Sequence, residues 1–143
     1  MNLSDIEATL RNGLHDAILE SVKIDYDAST VTLAMRVWIG LLEPSKPLSG
    51  RSPVMRRATL RLTGLSYFVI EPPQQLVDTE GGVSVSGDDG ESEHPLPALP
   101  PDSFRYRFFA SDWNSFIHLG ARDVRLDWDE SEETAWERAK AEE

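Results

Sequence analysis

The sequence contains no cysteine. This absence excludes disulfide bonds, thiolate metal sites, iron–sulfur clusters and cysteine nucleophiles, because each of them needs a thiol. No apolar run reaches the ~20 residues that a membrane-spanning helix requires, and no basic region followed by an apolar one opens the chain. We therefore expect a cytoplasmic protein without a membrane segment.

Motifs of the common enzyme classes are also missing. The sequence has no Walker loop, no dinucleotide fingerprint, no G-x-S-x-G and no H-E-x-x-H. Its 143 residues, of which 40% are hydrophobic, are enough for one globular domain spanning 1–143. We expect neither a metal nor another cofactor.

Positive charge is absent from one long segment and scarce in another. Residues 71–102 contain eight acids and no Lys or Arg, and residues 127–143 carry a net charge of −6. Because the whole chain has a net charge of −11, the remaining residues carry +3. The acidity therefore belongs to a loop and a tail, and the folded body is expected to be mildly basic.

Alternation of apolar and polar residues dominates the chain and predicts β-strands. A hairpin is expected first, and a bend at Gly64 is expected within a later strand. The six or seven predicted strands cover 18–26, 31–39, 55–70, 83–85 (the weakest), 103–110, 115–121 and 123–128. The predicted fold class is a strand-dominated α+β domain, with an antiparallel sheet or sandwich.

Helices are expected only near the two ends of the chain. Ser4 and Glu7 fit a capping box for a short helix that Asn12-Gly13 would end. A second helix is expected after Ser131, in the acidic tail at 129–143. The segment 74–101 is polar and rich in Pro and Gly, which predicts a mobile acidic loop, and residues 74–99 of it are expected to be dispensable for folding.

His15 and Asp16 stand side by side where the first helix gives way to the first strand. They could form half of a catalytic site, or the corner at which the chain turns. Neighbouring strand residues point to opposite faces, so the corner is the preferred interpretation. Asp16 would accept hydrogen bonds from backbone amides there.

Two further groups of titratable residues need an interpretation. Glu20 falls on the apolar face of its strand, where it is either a buried acid of raised pKa or an exposed residue at a bulge; we prefer the bulge. His94 lies among Asp88, Asp89, Glu91 and Glu93, but this run does not match the calcium-loop pattern. A solvated acidic loop explains it better.

The opening "LHDAILESVKIDYDASTVTLAM" resembles small bacterial families that begin L-H-D-[AS]-x-[IL] and continue into a β-hairpin. Some of these families are uncharacterised, and others are immunity proteins of toxin systems. The closing "ARDVRLDWDE" is similar to their last strand, so the resemblance covers 14–35 and 121–130. It implies a β-rich single domain and, for the immunity members, a protein-binding role. The long acidic insertion departs from the pattern.

Arginines recur opposite the apolar face on three predicted strands. If these strands share one sheet, alternation places on one side the candidate binding residues Arg36, Trp38, Arg57, Arg61, Arg105 and Arg107. Trp and Arg are enriched at interaction hot spots. The alternative is a solvated face with weak ion pairs. An acidic partner would complement the arginines by displacing the acidic loop.

The favoured function is a non-enzymatic protein-binding module, such as an immunity-type inhibitor. One alternative is a small hydrolase that uses carboxylates with His15 or His118. Another is a structural or assembly subunit whose acidic loop prevents non-specific association. We expect a protein partner and no membrane association. Nucleic acid is disfavoured because the loop and tail repel phosphates. The oligomeric state is left open.

Overall fold

Eight antiparallel strands and two helices form the part of the chain that the computed structural model describes, residues 1–42, 52–75, 77, 81–88, 90 and 95–142. In chain order these elements are α1 (Leu3–Thr9), β1 (Ala17–Asp25), β2 (Thr30–Leu41), β3 (Pro53–Thr63), β4 (Tyr67–Ile70), β5 (Val83–Asp88), β6 (Phe104–Ala110), β7 (Ser115–Ala121), β8 (Asp123–Trp128) and α2 (Glu132–Ala141). The strand-dominated α+β class and the antiparallel sheet are confirmed. The expected number of six or seven strands is too low.

The additional strand arises at Gly64, where the predicted strand 55–70 divides into β3 and β4. Gly64 has a φ of +62°, which an L side chain rarely adopts. A Cβ atom there would lie 2.7 Å from Cβ of Arg122. The chain therefore bends sharply where its neighbour also changes direction, and pairing resumes beyond the bend.

The eight strands close into a ring. Their hydrogen-bonding order is β4-β7-β6-β5-β1-β2-β3-β8. The two ends of this order are joined, because β3 continues into β4, β7 continues into β8, and the two bent segments pair as β3 with β8 and β4 with β7. Each strand therefore has an inner face toward the core and an outer face.

The inner faces supply the hydrophobic core. Fully buried side chains alternate with outer residues most regularly along β2, where Val31, Leu33, Met35 and Val37 are buried. Full burial of such a side chain contributes about 1.5–3 kcal/mol. The same cluster includes residues of α1 and of β1, β3, β5, β6, β7 and β8. The sheet and the N-terminal helix thus share one core.

The expectation that 74–101 forms a loop needs correction at its centre. Residues 83–88 form β5, which pairs with β1 on one side and β6 on the other. Val83 and Val85 are buried in the core. The weak strand is therefore longer than predicted and internal to the sheet. Much of the acidic run lies outside the described residues, so its mobility stays a prediction. Residues 43–51, in the proline-rich segment that follows β2, also lie outside the described residues.

Helix α1 begins earlier than its predicted capping box. Asn2 is the N-cap: its Oδ1 accepts from the Asp5 amide at 2.8 Å, and Asp5 Oδ2 accepts from the Asn2 amide at 2.9 Å. Beginning at Leu3 lets that side chain join Ile6 in the core. The burial of Leu3 explains why Asn2, and not Ser4, caps the helix.

Helix α2 docks on β3 through packing and a charged anchor. Ala135 is buried with Ile39, Leu42 and Val54, and Trp136 packs against this small cluster. Arg138 donates to both carboxylate oxygens of Glu130 at 2.6 Å. The tail thus forms a docked helix over most of its length.

None of the described helices is long and apolar enough to cross a membrane.

Candidate functional site

The outer face of β2 and β3 places two arginines directly opposite each other. Arg36 pairs in register with Arg57, and Trp38 pairs with Met55 in the next outward row. Arg138 approaches the same surface from α2 and donates to the Met55 carbonyl at 3.1 Å. We name these five residues the basic patch.

A depression of about 300 Å³ lies in the basic patch, between β2, β3 and α2. Arg36 is oriented by two contacts: its Nη2 donates to the Gly81 carbonyl at 2.9 Å, and its Nε lies 3.6 Å from Glu20 Oε1. The Arg57 side chain is exposed. Within the described residues, no carboxylate forms an ion pair with its guanidinium group.

Glu130 couples the patch to α2. Its Oε1 accepts from the Arg57 backbone amide at 2.8 Å as well as from Arg138. The hydrogen bonds from Arg138 lower the pKa of Glu130 to about 2. The same pair raises the pKa of Arg138. Arg138 is therefore held as a fixed cation beside Arg57.

The remaining predicted arginines lie elsewhere on the outer surface. Arg61 is two outward rows from Arg57 along β3 and lies opposite Arg125 of β8. Arg105 and Arg107 lie on β6 and line a different pocket. The structure thus brings Arg36, Trp38 and Arg57 together but separates Arg105 and Arg107 from them, because the closed sheet turns its outer faces in different directions.

That second pocket has a volume of about 360 Å³ and lies between the outer face of β4, β6 and β7 and residues 96–99. We call it the His118 pocket. The His118 side chain is almost completely buried, and its Nε2 is hydrogen-bonded to Glu71 Oε2. Arg107 pairs with Asp88 at 2.7 Å and stacks 4.6 Å over the Phe116 ring. The side chains of His118 and Arg107 are therefore both firmly oriented.

Comparison with known proteins assigns no family to the chain. No family model, no curated protein and no solved structure matches the chain. Function must therefore be argued from the side chains themselves.

His15 and Asp16 form a turn before β1. Their side chains lie 3.4 Å apart, nearer than strand geometry predicts, because both precede the strand. Both are mostly exposed. The Asp16 amide donates to Ser86 Oγ at 3.1 Å, and Asn12 Nδ2 donates to the His15 carbonyl at 3.3 Å. These contacts support the corner interpretation. The bond that the structure shows is donated by the Asp16 backbone amide to a β5 side chain, whereas the expectation was that the Asp16 carboxylate would accept from backbone amides.

Glu20 is located at a β-bulge. The register between β1 and β2 shifts between Leu19 and Ser21, so Glu20 turns out of the core and remains exposed. This confirms the bulge interpretation. Its carboxylate lies at the border of the basic patch instead of in a cleft with His15 or Asp16.

The acidic residues form no metal centre in the part of the chain that is described. No group of three or more His, Asp or Glu side chains there could hold an ion. Asp88 is engaged by Arg107. The other members of the predicted acidic run, Asp89, Glu91, Glu93 and His94, lie outside the described residues.

Sequence reasoning missed Glu71 and Arg138, and it named His118 only as a histidine of the hydrolase alternative, without identifying Glu71 beside it. Glu71 and His118 are 47 residues apart, and only the pairing of β4 with β7 brings them together. One indication was available: in "SFIHLGA", Ile117, Leu119 and Ala121 face the core, so His118 had to be on the opposite face. For Arg138, no sequence pattern indicated that α2 would dock beside β3.

Proposed function

We propose that the protein is a non-enzymatic protein-binding module that binds an acidic partner surface through the basic patch. The observation that carries this proposal is the direct cross-strand pair of Arg36 and Arg57. Like charges directly opposite each other destabilise a sheet. A partner carboxylate between the two guanidinium groups would remove that repulsion and accept their hydrogen bonds in a forked geometry.

The neighbours of this pair favour a protein partner. Trp38 and Met55 extend the arginines with an apolar surface, and Trp and Arg dominate binding energy at protein interfaces. The acidic segments 71–102 and 127–143 disfavour nucleic acid, because they repel phosphates. An immunity-type inhibitor is the form of such a module that agrees with the sequence resemblance.

The proposal is tested by affinity capture from the native lysate with matched charge variants. Arg57→Glu and Trp38→Ala should each lose a partner that the wild-type protein captures. Lys23→Glu makes the same charge change on β1, opposite Thr32, away from the patch, and should retain it. Loss of the partner by Lys23→Glu and Arg57→Glu alike would indicate dependence on net charge and would contradict a specific patch.

A second candidate, a small hydrolase, has one observation in its favour. The buried His118–Glu71 pair borders a pocket, and a histidine oriented by a carboxylate is a common general base. The described lining of that pocket contains no serine or threonine nucleophile, so the pair would have to activate water. Release of product from simple ester substrates that His118→Asn abolishes, with folding intact, would favour this candidate over the binding module.

A further inference from the structure

The His118 pocket has the features of a ligand site that is separate from the basic patch. Its volume of about 360 Å³ is in the range of small-molecule sites, about 300–1,000 Å³. We propose that it binds a small amphipathic carboxylate, with the carboxylate at Arg105 and the hydrocarbon part against residues 96–99. This proposal does not depend on the function proposed for the basic patch.

The polar side of the pocket is built on neighbouring strands. Arg105 and Arg107 are alternate residues of β6 and both point outward, and His118 of β7 lies opposite Arg107. Asp88 and the Phe116 ring hold Arg107 in place, and Glu71 holds His118. Ligand binding would therefore cost little conformational entropy at Arg107 and His118, because their side chains are already immobilised.

Arg105 is the best candidate for the carboxylate contact. It is exposed and lies across β7 from Tyr67, with Gly120 between them. Burial raises the pKa of Tyr67, and the positive charge of Arg105 opposes that rise. Arg105 and Tyr67 both line the His118 pocket. Together they offer a cation and a hydroxyl donor to one carboxylate.

The opposite side of the pocket is apolar. Leu96 and Leu99 are half-buried, whereas Pro97 and Ala98 between them are exposed. A Cβ atom at Gly120 would lie 2.6 Å from Leu99 Cδ2 and from the Tyr67 ring. The side chains of Leu99 and Tyr67 therefore pack directly against the Gly120 backbone, where a larger residue would not fit. A cationic end and an apolar cover select a ligand with one charged group and one hydrocarbon part.

Octanoate is a suitable probe, and octanamide is its neutral analogue of similar size. Calorimetric titration of the full-length protein should detect octanoate binding that is at least tenfold tighter than octanamide binding. Arg105→Gln should weaken octanoate binding about tenfold or more, because the charge-assisted hydrogen bonds to the carboxylate are lost. Octanamide binding should be nearly unchanged in that variant.

Arg125→Gln provides the matched control. Arg125 is an exposed arginine on β8 that pairs with Asp127, and its loss should leave octanoate affinity unaltered. Leu99→Ala should weaken octanoate and octanamide together, since it removes part of the apolar cover. The proposal is overturned if the wild-type protein does not bind octanoate, if octanamide binds equally well, or if Arg105→Gln and Arg125→Gln give the same affinity.

Discussion

At the scale of single residues, Glu130 joins three parts of the fold. Only 10% of its side chain is exposed, and it accepts hydrogen bonds from Arg138 of α2 and from the Arg57 amide of β3. It lies two residues beyond the end of β8. One carboxylate thereby fixes the position of α2 and of the cationic edge of the basic patch.

Glu130→Gln should lower the free energy of unfolding at pH 7 by about 1–3 kcal/mol, since the substitution weakens the two hydrogen bonds from Arg138 and the one from the Arg57 amide. The folded-state pKa of Glu130, about 2, lies below its ordinary value of 4.5. Its stabilising contribution is therefore complete above pH 4.5 and is lost as the pH falls toward 2. Urea titrations of both proteins from pH 7 to pH 3 should show their difference shrinking below pH 4.5. A difference that stays constant over this range would contradict the ion pair.

The backbone conformation of Asp16 leads to a second prediction at the scale of single residues. Its φ of +54° is in the left-handed region, which Gly and Asn tolerate and β-branched residues do not. Asp16→Val should destabilise the protein by about 1–2 kcal/mol, whereas Asp16→Gly should be nearly neutral. Denaturation midpoints measure both. Equal effects of the two substitutions would mean that the carboxylate matters more than the turn.

At the scale of elements, β5 is the strand whose internal position in the sheet was not evident from the sequence. It lies between β1 and β6, yet it comes from a segment of predominantly polar composition. Both of its buried valines face the core. Removing β5 would open the ring and expose the backbone edges of both neighbouring strands.

Deleting residues 74–99 and joining the ends with a glycine linker should therefore abolish cooperative unfolding. This outcome is the reverse of what composition alone predicts. Thermal unfolding followed by near-ultraviolet circular dichroism is the measurement. A cooperative transition within a few degrees of the wild-type midpoint would show that β5 is dispensable and would contradict its internal position.

The docking of α2 makes another prediction. A Cβ atom at Gly40 would lie 2.8 Å from the Trp136 ring. Gly40→Ala should therefore displace the helix and cost about 1–3 kcal/mol. In a Trp136→Ala background the same substitution should cost much less. A double-mutant cycle measures the coupling, and additive effects would place the strain elsewhere.

The sequence predicted local structure well and non-local structure poorly. Alternation located the strands, and Gly64 marked the bend, because both patterns depend on neighbouring residues. The closure of the ring depends on which distant strands pair, and no local pattern encodes that choice. For the same reason, Arg36 and Trp38 could be assigned to one face, whereas the separation of Arg105 from Arg57 and the meeting of Glu71 with His118 required the topology.

At the scale of the whole molecule, the acidic segment 71–102 contacts basic groups on opposite parts of the ring. Its Glu71 bonds to His118, its Asp88 pairs with Arg107, and its Gly81 carbonyl accepts from Arg36. The net charge of −11 therefore does not describe the surface that a partner meets. At the basic patch, Arg36 contacts Glu20 and Arg138 pairs with Glu130, so the exposed Arg57 is the arginine to which the proposed acidic partner would bring a new counter-charge.

The central claim is that the opposed pair Arg36 and Arg57 binds the partner. The most direct measurement is the dissociation constant of the captured partner, by calorimetry, for Arg57→Gln and for the control Lys23→Gln. Arg57→Gln should weaken binding tenfold or more, which corresponds to at least about 1.4 kcal/mol, while Lys23→Gln stays within about twofold. Equal affinities for the two folded variants would contradict the claim.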